Sequence, residues 1–213
     1  MSVLSGLSGR TERMLFRPYR ADDYEMFADL HRREEVARYL PWRPRDADAA
    51  RQALTRHERL VLREDGDAVT LAGFEKDTGW FVGEFVLFLR SAEHRGGEIG
   101  YVLHPAWQGR GLATEGARAM LALGFDKMDM HRIVGRVDAR NAASAAVLSR
   151  LGMRREAHLV KNEMVKGEWT DEVVYAMLAD EWSSSAMSPA ISWNTTAPAS
   201  ASCSVGASPP PKP

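Results

Sequence analysis

The sequence predicts a single α/β domain built around a central strand–helix–strand unit. Three observations predict it. Apolar residues alternate along some segments and recur every three or four positions along others, and the two kinds of segment are interleaved. The stretch Glu98-Ile-Gly-Tyr-Val-Leu-His-Pro-Ala-Trp-Gln-Gly-Arg-Gly-Leu-Ala-Thr-Glu115 runs from a strand, through a break at Pro105 and a glycine-bearing turn, into a helix. The composition over 213 residues, 45% apolar and 27% charged, is that of a globular chain with enough core to exclude water from a site.

The elements follow in order. Residues 15–18 read as a first strand, and Asp22 and Asp23 open acidic helical segments that run to Arg38. Residues 46–60 read as a helix opened by aspartates, which suit the positive end of the helix dipole. Residues 69–74 and 80–89, rich in Val, Phe and Leu, are strands joined by a turn at Asp77-Thr-Gly79. A polar loop then leads into a strand over 98–104, with Ile99, Tyr101 and Leu103 on one face. That sharing makes the Tyr101 ring a core side chain rather than a proton donor.

The helix after the glycines carries Leu112, Gly116, Ala119, Met120 and Leu123 on one stripe and ends near Met128. Residues 131–137 form the next strand. Residues 141–151 form a short helix with Asn141 at its N-cap and Gly152 at its left-handed exit. Strands over 154–165 and 170–178, turning at Lys166-Gly167, complete the order. Residues 1–10 are expected to be flexible and 11–182 to fold. The Ser-, Ala- and Pro-rich segment 183–213 buries too little surface to offset its ordering entropy and is expected to be disordered.

Composition also excludes functions. The formal net charge is -1 with both signs mixed along the chain, so no basic face for nucleic acid is expected. No run approaches the ~20 apolar residues of a membrane helix, and the first ten residues lack a secretory pattern, so the expected location is cytoplasmic. Cys203 is the only cysteine, which rules out an intramolecular disulfide or a thiolate zinc cluster; in the tail it lacks a scaffold for nucleophilic work. His104 and His131 have no second ligand at metal spacing, so no metal is expected. No heptad marks a partner surface, and a homodimer is compatible with the sequence.

The glycine turn reads as a pyrophosphate cradle. Gly109 and Gly111 permit close backbone approach, and the following helix begins with unpaired amides of positive character. A nucleoside-triphosphate loop would need a Lys and a hydroxyl residue directly after its last glycine, and no Lys follows Gly111. A dinucleotide fingerprint fails at its third small position, Thr114, although Asp138 could imitate the ribose-binding acid. An ordinary strand-to-helix turn remains the plain alternative.

What the residues do match, as Gln108-x-x-Gly111-x-Ala113, is the Gln/Arg-x-x-Gly-x-Gly/Ala signature of the GNAT superfamily of N-acetyltransferases. The opening Thr11-Glu-Arg-Met-Leu-Phe-Arg-Pro18, the segment Val36-Ala-Arg-Tyr-Leu-Pro-Trp42 and the run Val137-Asp-Ala-Arg-Asn-Ala-Ala-Ser-Ala-Ala-Val-Leu-Ser-Arg-Leu-Gly152 extend the match. Together they resemble the ribosomal-protein N-terminal acetyltransferase branch, the RimJ/RimL type, over residues 11–182. The resemblance implies a mixed, mostly antiparallel sheet flanked by helices and splayed between strands 98–104 and 131–137. It implies acetyl-coenzyme A as donor, with its pantetheine arm in the splay.

Carried over by position, the resemblance has the main chain of Val102 and Leu103 pairing with the pantetheine arm. Gln108, Gly109, Arg110, Gly111, Leu112, Ala113 and Thr114 supply the pyrophosphate amides, and Asn141 contacts the cofactor arm as well as capping its helix. Attack on a thioester needs a neutral amine, yet an α-amino group has a pKa near ~8 and a lysine amine near ~10.4. Some group must therefore accept a proton, and a carboxylate can do so, directly or through water. Glu163 matches the branch's active-site Glu and is the first candidate. Glu98, on the strand leading to the cradle, is the second, and Ser144 is the donor beside the sulfur.

Trp42 and Trp169 are expected to wall the acceptor opening. The acceptor is a primary amine, either a small molecule or a protein N-terminus. With no nucleophile held in a scaffold, transfer is expected to be direct, in a ternary complex. The competing reading is a non-catalytic acyl-coenzyme A binding or sensing module that kept the cradle and lost the chemistry.

Overall fold

The computed structural model describes residues 6–57, 61–184 and 191–194. Strands β1 (Ser8–Arg10), β2 (Met14–Pro18), β3 (Ala68–Glu75), β4 (Phe81–Ser91), β5 (Gly96–Leu103), β6 (Arg132–Asp138), β7 (Arg154–Val165), β8 (Glu168–Leu178) and β9 (Ser192–Asn194) make one sheet. Its order is β7-β8-β6-β5-β4-β3-β2-β1-β9. Helices α1 (Tyr24–His31), α2 (Glu34–Ala37), α3 (Ala47–His57), α4 (Leu112–Ala122), α5 (Ala142–Arg150) and α6 (Ala179–Ser184) complete it.

The sheet is antiparallel except where β5 meets β6. That parallel pairing holds for three positions only, Gly96 with Arg132, Gly97 with Ile133 and Glu98 with Val134. Beyond them β5 stays bonded to β4 and β6 to β8, so the two strands diverge into a wedge. The wedge is the splay that the resemblance implied.

Both faces of the sheet centre are covered, which is why β3 reads as a near-continuous apolar run rather than an alternation. One core, with Leu71, Phe85, Leu87, Met120, Leu121 and Ile133, lies under α4. The other, with Tyr19, Phe27, Leu54 and Phe74, lies under α1 and α3. Helix α4 sits very close to the sheet because Gly116 presents no side chain to the Phe85 ring. A Cβ there would fall 2.1 Å from Phe85 Cε1. Past Ala122 the helix widens into a π turn and stops at Met128, close to the expected end.

Two terminal expectations are corrected. Residues 8–10 and 192–194, expected to be flexible and disordered, are paired strands, with Gly9 opposite Trp193. Trp193 is buried against Phe16 and lies flat over Gly9, whose missing Cβ would fall 2.3 Å from the indole. Composition averages over the tail and conceals one large apolar side chain that finds a bare glycine edge. Residues 1–5, 185–190 and 195–213, with Cys203 among them, lie outside the described residues, as does the 58–60 end of the expected α3.

Candidate active site

The chain leaves β5 through a short turn, Pro105–Trp107, that the His104 ring caps by accepting from the Ala106 amide at 3.2 Å. That contact leaves the His104 proton on Nε2, 3.1 Å from Asp29, so this histidine holds the turn to α1. Gly109 and Gly111 both have φ near +79°, a conformation that side chains disfavour. Gly111 is the N-cap of α4 and offers no side chain to its first-turn amides, which are left to face outward.

These residues fit a pyrophosphate. A Cβ on Gly109 would meet no heavy atom within 4 Å, so the loop presents open space and bare amides at the helix start. The Gln108 side chain instead turns back and donates to the Leu103 carbonyl at 3.2 Å, so it sets the loop against the end of β5. The Arg110 guanidinium lies over the Trp107 ring, 4.9 Å from its centroid.

A brace holds this loop from behind. Glu115, in the first turn of α4, accepts from the Thr11 hydroxyl at 2.6 Å, the Arg13 amide at 2.9 Å and Arg13 Nε at 2.7 Å. Arg13 Nη1 donates to the Arg110 carbonyl at 3.0 Å. Because the Arg13 side chain is half exposed, each of its ion-pair contacts contributes about 0.2–1 kcal/mol. Glu115→Ala is therefore expected to weaken acetyl-coenzyme A binding by about fivefold to tenfold while the far end of the sheet is undisturbed, as calorimetric titration would measure.

On the sheet face under α1 and α3, a cleft of about 1300 Å³ runs from the loop around Trp42 across to the β7–β8 hairpin. Glu98, the last β5 residue paired with β6, lies on its floor. The Glu98 carboxylate is 3.0 Å from Arg90 Nε and 3.5 Å from Arg136 Nε. Arg136 also donates to Glu172 at 2.8 Å, and Asn162 donates to the same Glu172 oxygen at 3.0 Å. Arg136 thus bridges two carboxylates beside the point where the wedge opens. Burial pushes the Glu172 carboxyl above the ordinary glutamate range; Arg136 opposes this, and the charges of Glu163 and Glu98 add to it.

The remaining expected residues are distributed around this pair. Glu163 is exposed on β7 opposite Thr170 and lines the hairpin side of the cleft. Asn141 caps α5, its Oδ1 accepting from the Ser144 amide at 3.1 Å. The Ser144 carbonyl accepts from the Tyr101 hydroxyl at 3.1 Å, which ties β5 to α5 across the wedge. Burial pushes the Tyr101 phenol up to about 12, so it stays protonated as that donor. Tyr101 is thus a packed ring with a fixed polar end. Val102 lines the cleft, and Leu103 is buried at the end of β5.

Trp42 lines the cleft, tilted against the His31 ring, but Trp169 does not join it. The alternation of β8 turns Thr170 and Glu172 inward and leaves Trp169 56% exposed, so the expected wall of two tryptophans is not formed. The hairpin is nonetheless seated over this end of the cleft. Lys166 Nζ donates to the Ala37 carbonyl at 2.5 Å, and Arg43 donates to the Lys166 carbonyl at 3.4 Å.

Sequence reading missed Glu172, Arg136 and Glu84. Glu84 is a buried acid, 3.0 Å from His31 Nε2 and 3.4 Å from the Tyr19 hydroxyl. One signal was present: a lone acid within the apolar run of β4. Among the described residues, no group of His, Cys, Asp or Glu could hold a metal ion, and no helix is long and apolar enough to cross a membrane.

Comparison with known proteins decides the family. The profile described as an acetyltransferase (GNAT) domain matches residues 13–154. The chain belongs to the GNAT acetyltransferase family. Among its GNAT relatives, the Bacillus subtilis N-acetyltransferase YnaD is 32% identical over 176 residues, covering 81% of this chain and 97% of that protein. The ribosomal protein uS5-alanine N-acetyltransferase of Escherichia coli is 26% identical, covering 81% of this chain and 91% of that one. A GNAT acetyltransferase structure from Bacillus anthracis superposes with a TM-score of 0.75 at 28% identity, over 82% of this chain and 99% of that one. The GNAT fold is also shared with Vibrio cholerae spermidine N-acetyltransferase, solved with coenzyme A and spermine, at a TM-score of 0.69 and 19% identity over 80% and 98% of the two chains.

Proposed function

We propose that this GNAT member moves the acetyl group of acetyl-coenzyme A onto a primary amine by direct attack in a ternary complex. The observation that carries the reading is the pair Glu98 and Glu172, bridged by Arg136, on the floor of a cleft at the point where β5 and β6 part. The cradle lies on one side of that point and an open acceptor cleft on the other.

When bound, the donor supplies an activated acetyl thioester. Gly109 to Thr114 hold its pyrophosphate with main-chain amides, and the free edge of β5 at Val102 and Leu103 orients the pantetheine arm. Asn141 lies at the start of α5 beside the same wedge. Glu98 and Glu172 take the proton that the attacking amine must lose, directly or through water. As the nitrogen bonds to the carbonyl carbon and the carbon–sulfur bond breaks, the Ser144 hydroxyl favours the departing thiolate. Glu163, on the hairpin, attracts the ammonium form of the acceptor into the cleft before it is deprotonated.

The acceptor class is an amine small enough, or extended enough, to enter from the α1 and α3 face. Its precedents are the substrates in the relatives' names, an N-terminal alanine of a ribosomal protein and spermidine. The first agrees with the RimJ/RimL-type resemblance. Initial rates of thiol release, measured with donor and amine both varied, test the reading. Intersecting double-reciprocal lines are expected. Parallel lines would overturn direct attack, and tight donor binding with no amine-dependent thiol release would establish the binding-module alternative.

A further inference from the structure

Arg45, Arg56 and His57 line the end of the cleft below Trp42, where the charge of the buried Glu84 acts on Arg45 and His57. The Arg45 main-chain amide donates to the His31 carbonyl at 3.0 Å, which fixes where its side chain begins. The guanidinium then lies 5.2 Å over the Trp42 ring, lines the cleft, and has its Nη1 buried with no hydrogen-bond partner. His57, at the end of α3, lines the same end, and its Nδ1 is also buried and unpartnered. Arg56 beside it donates Nε to the Gln52 carbonyl at 3.3 Å and forms no ion pair among the described residues.

Among the described residues, the two acids that line this end, Glu84 and Asp67, have hydrogen-bond partners of their own. Glu84 is held by His31 at 3.0 Å and Tyr19 at 3.4 Å. Asp67 accepts the amides of Arg63 at 2.7 Å and Glu64 at 3.0 Å, closing its own turn. A buried donor without a partner costs about 1–3 kcal/mol, and more when it is charged, so Arg45 Nη1 favours a ligand that brings oxygen acceptors, and His57 donates to the same ligand in the tautomer that carries its proton on Nδ1. Guanidinium nitrogens in a fixed fork match a carboxylate in particular.

Resting on the amine-acetyltransferase reading above, we propose that the acceptor carries a carboxylate as well as its amine, and that Arg45, Arg56 and His57 bind that carboxylate. The acceptor is then an ω-amino acid, because Glu84 on the Arg45 side and Phe88 opposite Glu98 are four positions apart on β4, about 13 Å, which an α-amine next to its own carboxylate does not span. Its amine reaches along the cleft toward Glu98 while its carboxylate anchors below Trp42. A polyamine would place a second ammonium against Arg45 and Arg56, which this end of the cleft disfavours.

The test compares ω-amino acids of increasing length, such as L-ornithine and L-lysine, with their carboxamides, in which the reacting amine is kept and the negative charge removed. In the wild type, the preferred amino acid is expected to exceed its amide in kcat/KM by on the order of 10²-fold, because the amide leaves charged donors unpaired. In Arg45→Gln that ratio is expected to fall to within about twofold, with Arg45→Lys restoring part of it. Equal use of acid and amide by the wild type, or an undiminished ratio in Arg45→Gln, would overturn the proposal. Calorimetric titration of the coenzyme A-loaded protein with the same pairs separates the two readings. If no amine is turned over, selective binding of acid over amide that disappears in Arg45→Gln still supports the subsite, and indifference to the carboxylate rejects it.

Discussion

Glu98→Gln is expected to lower kcat/KM for the amine acceptor by about 10²- to 10⁴-fold, the range that general-base groups contribute. The substitution keeps the shape of the side chain and removes its capacity to accept a proton. Glu98 sits where the parallel pairing ends, so its carboxylate is within reach of both the wedge and the cleft. Because Arg136 bridges it to Glu172, the two acids act as a unit, and Glu172→Gln is expected to give a loss of similar size that does not add to the first.

The pH profile separates the two acids. Glu172 is held above the ordinary glutamate range by burial, and it must be ionised to accept a proton. As pH falls through that raised value, kcat/KM is lost earlier than an ordinary carboxylate would allow. After correction for the titration of the acceptor amine itself, this acidic limb should move to lower pH in Glu172→Gln. A limb that stays in place would remove Glu172 from the proton path.

Phe85→Ala is expected to destabilise the fold by about 3–5 kcal/mol, lowering Tm by roughly 10 °C for a chain of this size. Phe85 is fully buried at the centre of β4. Its ring meets Phe16 edge-on at a centroid distance of 5.4 Å, and α4 rests on it at Gly116. Truncation leaves a cavity that neither strand nor helix can readily fill. The effect should reach the site, because the cradle is the N-terminus of the helix seated on this ring. Weaker acetyl-coenzyme A binding is expected alongside the lower Tm. Thermal unfolding and calorimetric titration of the same protein measure both, and a fall in Tm with unchanged donor affinity would show that the cradle is held by its brace at Glu115 alone.

The local periods and turn residues made most elements readable. The 3.6-residue stripe of α4, the Asn141 cap and the Gly152 exit all appear in the structure as expected. The glycine turn and helix start of the proposed cradle were readable because they are contiguous in the chain. What escaped detection depends on residues brought together from distant positions. Arg136 and Glu172 are 36 positions apart, and only the pairing of β6 with β8 makes them neighbours of Glu98. The family resemblance puts Trp169 at the acceptor opening, whereas the register of β8 against β7 turns it to solvent. A one-residue shift in register reverses the facing of every side chain in a strand, and composition does not encode it. Trp193 pairs with Gly9 across almost the whole chain, so neither terminal segment signalled its partner.

The most direct test of acetyl transfer in this cleft is a single turnover with isotopically labelled acetyl-coenzyme A and an amine, followed by intact-mass and product analysis. Label on the amine nitrogen in equal amount to the thiol released, with the protein mass unchanged throughout, is the predicted result. A labelled acetyl group residing on the protein and chased onto the amine, or thiol release that never depends on amine, would contradict it.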